Sequence, residues 1–216
     1  MTVAIVDYGM GNLFNVQRAF LHVGLETEIT DDPEKVAAAE GVVLPGVGAF
    51  GDAMAALDAK GLSGAMKDAV AAEKPFLGVC LGMQLLMAEG HEFGTHKGLG
   101  ILAGDVVRFD GPRDGERILK VPQVGWNRVH PAAGGWAGTP LQGVEPGAFM
   151  YFVHSYHVRP ADPSAVLAVA RYGQIEFCAA LRRGNVFACQ FHPERSGPAG
   201  LDIFRAFARR FTGGDK

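Results

Sequence analysis

The fold is decided by the stretch Pro75-Phe76-Leu77-Gly78-Val79-Cys80-Leu81-Gly82-Met83-Gln84. Its apolar first half predicts a buried strand, and residues 81–87 predict a helix that follows directly. Glycines two positions either side of Cys80 allow a strand-to-helix turn that is too sharp for residues with a Cβ atom. Such a turn presents the thiol at a helix N-terminus, where backbone dipoles favour a thiolate. We therefore interpret Cys80 as a nucleophile, and Cys178 and Cys189, which lie in apolar runs, as core residues.

The first half of the chain alternates between strand-like and helix-like segments. Strands are predicted at residues 3–7, 25–29, 41–44 and 75–79, and helices at residues 12–20, 52–59 and 62–72. Asp32-Pro33 predicts one more helix start, with aspartate as the N-cap and proline at the first helical position. This rhythm predicts an α/β fold with a mostly parallel central sheet flanked by helices, which is a flavodoxin-like core. Ligands bind at the carboxyl ends of such strands, where Cys80 and the glycine-rich loop 45–51 both fall.

The second half of the chain has a different pattern. Short strands are predicted at residues 106–109, 118–121, 149–154, 166–172, 177–181 and 186–191. Because short turns join them, we expect an additional antiparallel strand region in the C-terminal half. Residues 201–207 predict a closing amphipathic helix. Since no linker divides the chain, we expect a single domain over residues 1–216.

Composition excludes several classes of protein. The chain has 216 residues, of which 48% are hydrophobic and 20% charged, as in globular proteins. A net charge of −3 and the lack of a Lys/Arg-dense run give no reason to expect a nucleic-acid partner. No apolar run reaches the roughly 18 residues that a membrane span needs. Three widely spaced cysteines argue against a disulfide framework and predict a reducing, cytoplasmic setting.

A second motif, Gln190-Phe191-His192-Pro193-Glu194, follows another apolar strand. The residue before a proline is extended, so His192 and Glu194 are expected to face the same side. Glu194 can then orient one ring nitrogen of His192 while the other nitrogen faces Cys80, as in a nucleophile–base–acid triad. The predicted oxyanion donors are the backbone N–H of Leu81 and the backbone around Val47 and Gly48.

Other interpretations remain open at this point. A cysteine hydrolase of the α/β-hydrolase type also uses a nucleophile between glycines, but its acid precedes its histidine in the chain. A non-enzymatic binding module of the same fold is the other alternative, although all three triad members are present. His154 and His157 could suggest a metal, but they lack the closely spaced ligand pairs of a zinc site. We therefore expect no metal, and the family resemblance described next implies neither a metal nor an organic cofactor.

Residues 78–84 and 190–194 resemble the two signatures of class I (triad-type) glutamine amidotransferases. The stretches 7–13, 44–50, 122–127 and 151–156 narrow the resemblance to the glutaminase subunits of imidazole glycerol phosphate synthase. The resemblance covers the chain from Thr2 to about Arg210. It implies that glutamine is hydrolysed through a thioester on Cys80. An alternative is a subunit with the same chemistry that supplies ammonia to another synthase, such as those that make anthranilate or pyridoxal phosphate. Through the resemblance, residues 122–127 argue against this alternative.

The same resemblance implies a partner and further site residues. The ammonia would pass to a separate (β/α)8-barrel cyclase subunit in a heterodimer, which makes imidazole glycerol phosphate and an aminoimidazole carboxamide ribotide in histidine biosynthesis. Positions matching the substrate-binding residues are Gln84, Ser155, Tyr156 and His157. Positions matching the partner interface are Trp126 and Asn127, and less closely Tyr8, Asn12 and Arg183. The sequence departs from the family at Arg195, where lysine is usual.

Overall fold

The computed structural model describes residues 2–211. In chain order, its elements are β1 (Val3–Val6), α1 (Leu13–His22), β2 (Thr27–Thr30), α2 (Pro33–Ala38), β3 (Gly41–Gly46), α3 (Phe50–Ala59), α4 (Leu62–Ala71), β4 (Phe76–Cys80), α5 (Leu81–Leu85), β5 (Glu89–Gly90), β6 (His96–Lys97), β7 (Gly104–Arg108), β8 (Arg113–Asp114), β9 (Arg117–Ile118), β10 (Gln123–Arg128), β11 (His130–Pro131), β12 (Phe149–His154), β13 (Tyr156–Pro160), β14 (Val166–Tyr172), β15 (Ile175–Arg183), β16 (Val186–Cys189) and α6 (Gly197–Arg209). Short 3-10 turns cover Pro163–Ala165 and Pro193–Arg195. Within residues 2–211, none of the helices has the length and apolar character needed to cross a bilayer.

The central sheet has eight strands in the order β11-β14-β15-β16-β4-β3-β1-β2. The five strands from β16 to β2 run parallel, and the pairs beyond β16 are antiparallel. The order β2-β1-β3-β4 is that of a flavodoxin-like core, so the predicted fold class is confirmed. Because Gly46 is the register partner of Cys80, the ends of β3 and β4 lie side by side at one edge of the sheet. We call this the catalytic edge.

The two faces of the sheet each carry a hydrophobic core. Ala4 and Val6 of β1 pack with the face covered by α2, α3 and α4, whereas Val3 and Ile5 pack with the face covered by α1 and α6. This alternation is expected of a parallel strand that is buried on both sides. The predicted start of α2 is confirmed, since the side chain of Asp32 accepts a hydrogen bond from the backbone N–H of Glu34 at 2.8 Å.

The second half differs from its sequence prediction in several strands. β16 pairs parallel to β4, so it extends the parallel part of the sheet. The strand predicted at 118–121 is reduced to the two residues of β9, which pair with β8. Leu119 and Lys120 lie outside this strand. β10 and β13 were not predicted. The inward positions of β10 include Gln123 and Gly125 whereas Val124 and Trp126 are exposed, which inverts the usual apolar pattern.

The glycine-rich loop at 45–51 is shorter than predicted. Pro45 and Gly46 continue β3, and Phe50 already belongs to α3, so residues 47–49 alone lie outside regular structure. The hydroxyl of Tyr8 donates to the Pro45 carbonyl at 3.1 Å, which supports the end of β3. The loop therefore starts from a fixed strand end beside Cys80.

Candidate active site

Cys80 ends β4 in a backbone conformation that is rare for a residue with a side chain. Its φ is 55° and its ψ is −111°, and α5 begins at the next residue. Holding a non-glycine residue in such a region costs about 1–3 kcal/mol, and the surrounding structure must compensate for it. The predicted strand-to-helix turn is therefore present, and it sets Cys80 at the catalytic edge.

The glycine after the turn is required by close packing. A Cβ atom at Gly82 would overlap the backbone carbonyl of Leu44 in β3, and a Cβ at Gly78 would lie 3.0 Å from the Cβ of Ala188 in β16. Gly82 thus lets α5 lie close to β3, and Gly78 lets β16 approach β4 closely. The sequence argument assigned these glycines to the sharpness of the turn, and the structure adds this packing role.

His192 and Glu194 form a buried pair next to Cys80. His192 is extended before Pro193, with φ −99° and ψ 96°, as its position before a proline predicts. Its Nδ1 lies 2.8 Å from Oε1 of Glu194. Since a carboxylate only accepts, Nδ1 carries the proton and Nε2 is left as the basic nitrogen. No hydrogen-bond partner for Nε2 is found among the described residues.

Ser196 fastens this pair to strand β12. Its hydroxyl donates to the His192 carbonyl at 2.6 Å and accepts from the backbone N–H of Tyr151 at 3.0 Å. The His192 backbone N–H donates in turn to the Tyr151 carbonyl at 2.9 Å. The segment that contains the imidazole is thus held by three hydrogen bonds around one residue of β12.

The charge on His192 depends on its two neighbours. Burial lowers the pKa of His192, but the influence of Cys80 and Glu194 outweighs it and raises this pKa to about 10. The arrangement therefore favours a protonated imidazole at His192.

A cavity of about 270 Å³ opens directly onto Cys80. Seven residues that the sequence analysis singled out line it, namely Val47, Gly48, Cys80, Leu81, Gln84, Ser155 and Tyr156. Gly48 has a φ of +109°, a conformation that favours glycine. A larger cavity of about 690 Å³ lies against α6, and none of the predicted site residues lines it.

Two predicted site residues have buried positions that do not fit their predicted roles. His157 lies in the core, with its ring 4.9 Å from that of Phe109, and does not line the cavity. Tyr8 is 2% exposed and supports β3, so it does not present its side chain to a partner. Both corrections have one cause, since the sequence match gives a residue's place in the chain but not the direction of its side chain.

Of the remaining predicted interface residues, Trp126 and Asn12 are exposed near the catalytic edge, whereas Arg183 lies at the opposite edge. Trp126 is 55% exposed and packs edge-on against Tyr151, whose ring lies 6.5 Å from that of His192. Asn12 is exposed at the start of α1, close to the catalytic edge. Arg183 instead ends β15 at the opposite edge of the sheet, where Val186 of β16 pairs with the beginning of β4.

Asn127 and Arg195 take part in contacts within the chain. The Asn127 amide donates to the Arg171 carbonyl at 2.7 Å, which ties β10 to β14. The Arg195 guanidinium lies 4.1 Å from the centre of the Tyr151 ring. Stacking on an aromatic face suits the planar guanidinium better than an ammonium group, so the departure at position 195 has a structural role.

Sequence reasoning missed two polar residues of the site. Glu92 lines the cavity, and its Oε2 accepts the backbone N–H of Phe50 at 2.8 Å at the start of α3. Gln190 is fully buried, and its Nε2 lies 3.6 Å from Sγ of Cys80. No sequence signal identified Glu92, whereas Gln190 stood inside a motif of which only His192 and Glu194 were assigned.

The fold and this site define the class of protein. The profile of the family described as "Glutamine amidotransferase class-I" matches residues 4–211, and the chain belongs to that family.

Relatives with high sequence identity narrow the comparison. Three bacterial proteins named "Imidazole glycerol phosphate synthase subunit HisH" are similar to the chain over nearly their full length. The protein of Rhodopirellula baltica is 52% identical over 95% of this chain and 96% of its own. That of Syntrophotalea carbinolica is 50% identical over 95% and 98%, and that of Geobacter sulfurreducens is 46% identical over 95% and 97%.

Solved structures support the fold. "Structure of PurLQS from Thermotoga maritima" matches with a TM-score of 0.72 and 20% identity, over 97% of this chain and 98% of that chain. The structure "Trypanosoma brucei CTPS - glutaminase domain with bound acivicin" matches with a TM-score of 0.66 and 16% identity, over 100% and 95%. At these identities the likeness concerns the fold alone.

Proposed function

We propose that this chain hydrolyses glutamine to glutamate and ammonia, and supplies the ammonia to a cyclase subunit of imidazole glycerol phosphate synthase. The observation that carries the proposal is that the hydrogen-bonded pair of His192 and Glu194 lies next to Cys80, which in turn lines a cavity. Family membership and the names of the relatives point to the same chemistry. The three free thiols agree with a cytoplasmic setting for this reaction.

The chemical steps follow from the two ends of the His192 ring. Nε2 takes the thiol proton of Cys80, and the thiolate attacks the side-chain amide carbon of glutamine. When the carbon–nitrogen bond breaks, the imidazolium gives its proton to the leaving nitrogen, and a thioester remains on Cys80. Water, deprotonated by His192, then attacks the thioester. Glutamate leaves and the thiol is restored.

The oxyanion formed in each attack needs backbone donors. We assign this role to the N–H of Leu81, which follows Cys80 directly, and to the backbone of Val47 and Gly48. Support comes from their place in the cavity wall, since all three line it together with Cys80. One such donor contributes about 2.7–4 kcal/mol to the transition state, or about 10²–10³ in rate.

The polar lining of the cavity suits the amino-acid end of glutamine. Glu92 provides a carboxylate for the α-ammonium group, and Gln84 provides a side-chain carbonyl. Ser155 and Tyr156 form the wall beside them. A glutamine that is fixed at this end has its amide directed towards Cys80, which is the near-attack placement that catalysis requires.

The partner is assigned to the surface around Trp126. Val124 and Trp126 of β10 are large apolar side chains exposed on the same face, and Trp126 reaches Tyr151 next to His192. Exposed aromatic residues beside a reaction centre are typical of protein–protein contacts. A cyclase subunit docked here receives ammonia before it is protonated in bulk water. It then makes imidazole glycerol phosphate and an aminoimidazole carboxamide ribotide.

Glutamate release tests the proposal. The purified chain is assayed alone and with the cyclase subunit from the same organism and its nucleotide substrate, and we expect the partner to stimulate release strongly. Cys80→Ser should abolish release, whereas synthesis by the cyclase from added ammonium salt should survive. Cys178→Ser is the matched control and should keep its activity. Glutamate production by Cys80→Ser at the unmodified rate would refute the proposal.

A further inference from the structure

Two buried carboxamides form a chain from the cavity wall to the sulfur of Cys80. Gln84 Nε2 donates to the backbone carbonyl of Tyr156 and to Oε1 of Gln190, both at 3.0 Å. Gln190 Nε2 then donates to Cys80 Sγ at 3.6 Å. Gln190 is 0% exposed and Gln84 is 5% exposed, so water does not compete for these contacts.

The Tyr156 carbonyl determines which way both amides point. A backbone carbonyl only accepts, so the NH2 group of Gln84 must face it. The second hydrogen of that NH2 group faces Gln190, so the Gln190 atom at this contact must be its carbonyl oxygen. The NH2 group of Gln190 is therefore the group that faces Cys80. The amide orientation follows from the network and not from the assignment of one atom.

We propose that Gln190 is a further catalytic residue, whose side-chain N–H stabilises the Cys80 thiolate by a hydrogen bond. A donor that touches a buried acceptor favours the charged form of that acceptor. The reaction is the one given under the proposed function, on which this inference rests. Unlike His192, the Gln190 amide does not titrate, so it can donate to the sulfur whether or not His192 is protonated.

The chain of amides also leads to the substrate site. Gln84 Oε1 has no hydrogen-bond partner within the described part of the chain, and Gln84 lines the cavity. A donor on the substrate that binds this oxygen polarises both amides in the same direction. Hydrogen bonds in series strengthen one another, so binding at Gln84 strengthens the donor at the sulfur.

Several titratable groups face Cys80, and the test has to account for them. His192 and, through it, Glu194 lie on one side, while Tyr8 and Cys189 are also close enough to sense its charge. Burial raises the pKa of Cys189, and it raises that of Cys178 to about 12. Both thiols stay protonated and unreactive, so alkylation near neutral pH reports on Cys80 alone.

The experiment measures the rate of Cys80 alkylation by iodoacetamide as a function of pH, with the modified residue identified by mass spectrometry. Gln190→Met keeps the size of the side chain and removes the donor. The midpoint of its profile should move up by about one to two pH units, the shift expected from one hydrogen bond to a charged group. Gln123→Met is the matched control, because Gln123 is buried and its Oε1 has no partner among the described residues.

A second variant keeps the test decisive if Gln190→Met fails to fold. Gln84→Met removes the anchor of the Gln190 amide, and it should also raise the midpoint, while Gln123→Met should leave it unchanged. Unchanged midpoints in the folded variants would overturn the inference, as would an equal shift in Gln123→Met. Alkylation needs no turnover. The variants could show the expected shift of the alkylation midpoint while the unmodified chain releases no glutamate. That result would refute the proposed function and leave the contact between Gln190 and the thiolate standing.

Discussion

Replacing Ser196 with alanine removes both hydrogen bonds through which its side chain holds the His192 segment on β12. The His192 carbonyl keeps one partner, because the Arg195 backbone N–H also donates to it at 3.0 Å. Losing the hydrogen bond from the Ser196 hydroxyl to the His192 carbonyl therefore costs only about 1 kcal/mol. The Tyr151 N–H is left without its partner, which adds about 1–3 kcal/mol.

The free energy of unfolding should therefore fall by about 2–4 kcal/mol, and the melting temperature by roughly 4–16 °C for a chain of this length. Partner-stimulated glutamate release, measured well below the melting temperature, should fall by about 100-fold, since a displacement of about 1 Å at a reacting group has that effect. Urea unfolding and a coupled glutamate assay provide the two measurements.

The matched control is Ser164→Ala, because Ser164 makes its side-chain hydrogen bond to Asp162 at an exposed turn. Its stability should stay within about 0.5 kcal/mol of that of the unmodified chain, with unchanged activity. If Ser196→Ala unfolds at the same urea concentration as the unmodified chain, the hydrogen-bond reasoning is wrong. If its stability falls while glutamate release is unchanged, Ser196 does not position His192.

Three further predictions concern packing, acid stability and the partner surface. Gly82→Ala should lower the unfolding free energy by about 2–5 kcal/mol, because its Cβ would overlap the Leu44 carbonyl; an unchanged urea midpoint would contradict this. Burial lowers the pKa of His154 to about 3, so this histidine stays neutral when folded, and burial also lowers the pKa of His157. The stability that depends on a neutral His154 is present above its unfolded pKa of about 6.5 and is lost as pH falls, by up to about 1.4 kcal/mol per pH unit. His154→Gln should flatten that slope in urea titrations between about pH 7 and pH 5, and an unaltered slope would count against it. Trp126→Ala should leave the melting temperature within about 2 °C but weaken stimulation by the partner, and full stimulation would place the interface elsewhere.

The local patterns of the sequence were sufficient for the core of the fold and for the turn that presents Cys80. The uninterrupted apolar runs within residues 3–7 and 41–44 indicated strands buried on both faces, because such a strand needs apolar side chains at successive positions. The glycines around Cys80 likewise indicated the turn, since the backbone conformation of a residue is restricted by its immediate neighbours. His192 and Glu194 were paired correctly because they are two positions apart and proline extends the chain between them.

Features that depend on contacts with distant segments could not be predicted from local sequence patterns. β10 was missed because its apolar residues face outward, and only its pairing with β12 makes it a strand. Tyr8 was assigned to the partner interface and His157 to the substrate site by their place in the chain, although packing turns both inward. Glu92 had no local signal at all.

The contact between Gln190 and Cys80 shows most clearly the difference between features set by local sequence and features set by tertiary packing. These residues are 110 positions apart, and their contact depends on parallel pairing of β16 with β4. The sequence by itself indicated most of the side chains with the chemistry, namely a thiol, an imidazole, a carboxylate and the amide of Gln84. Only the tertiary structure decided which of their atoms meet, because the direction of a side chain is set by the packing of elements that are remote in the chain.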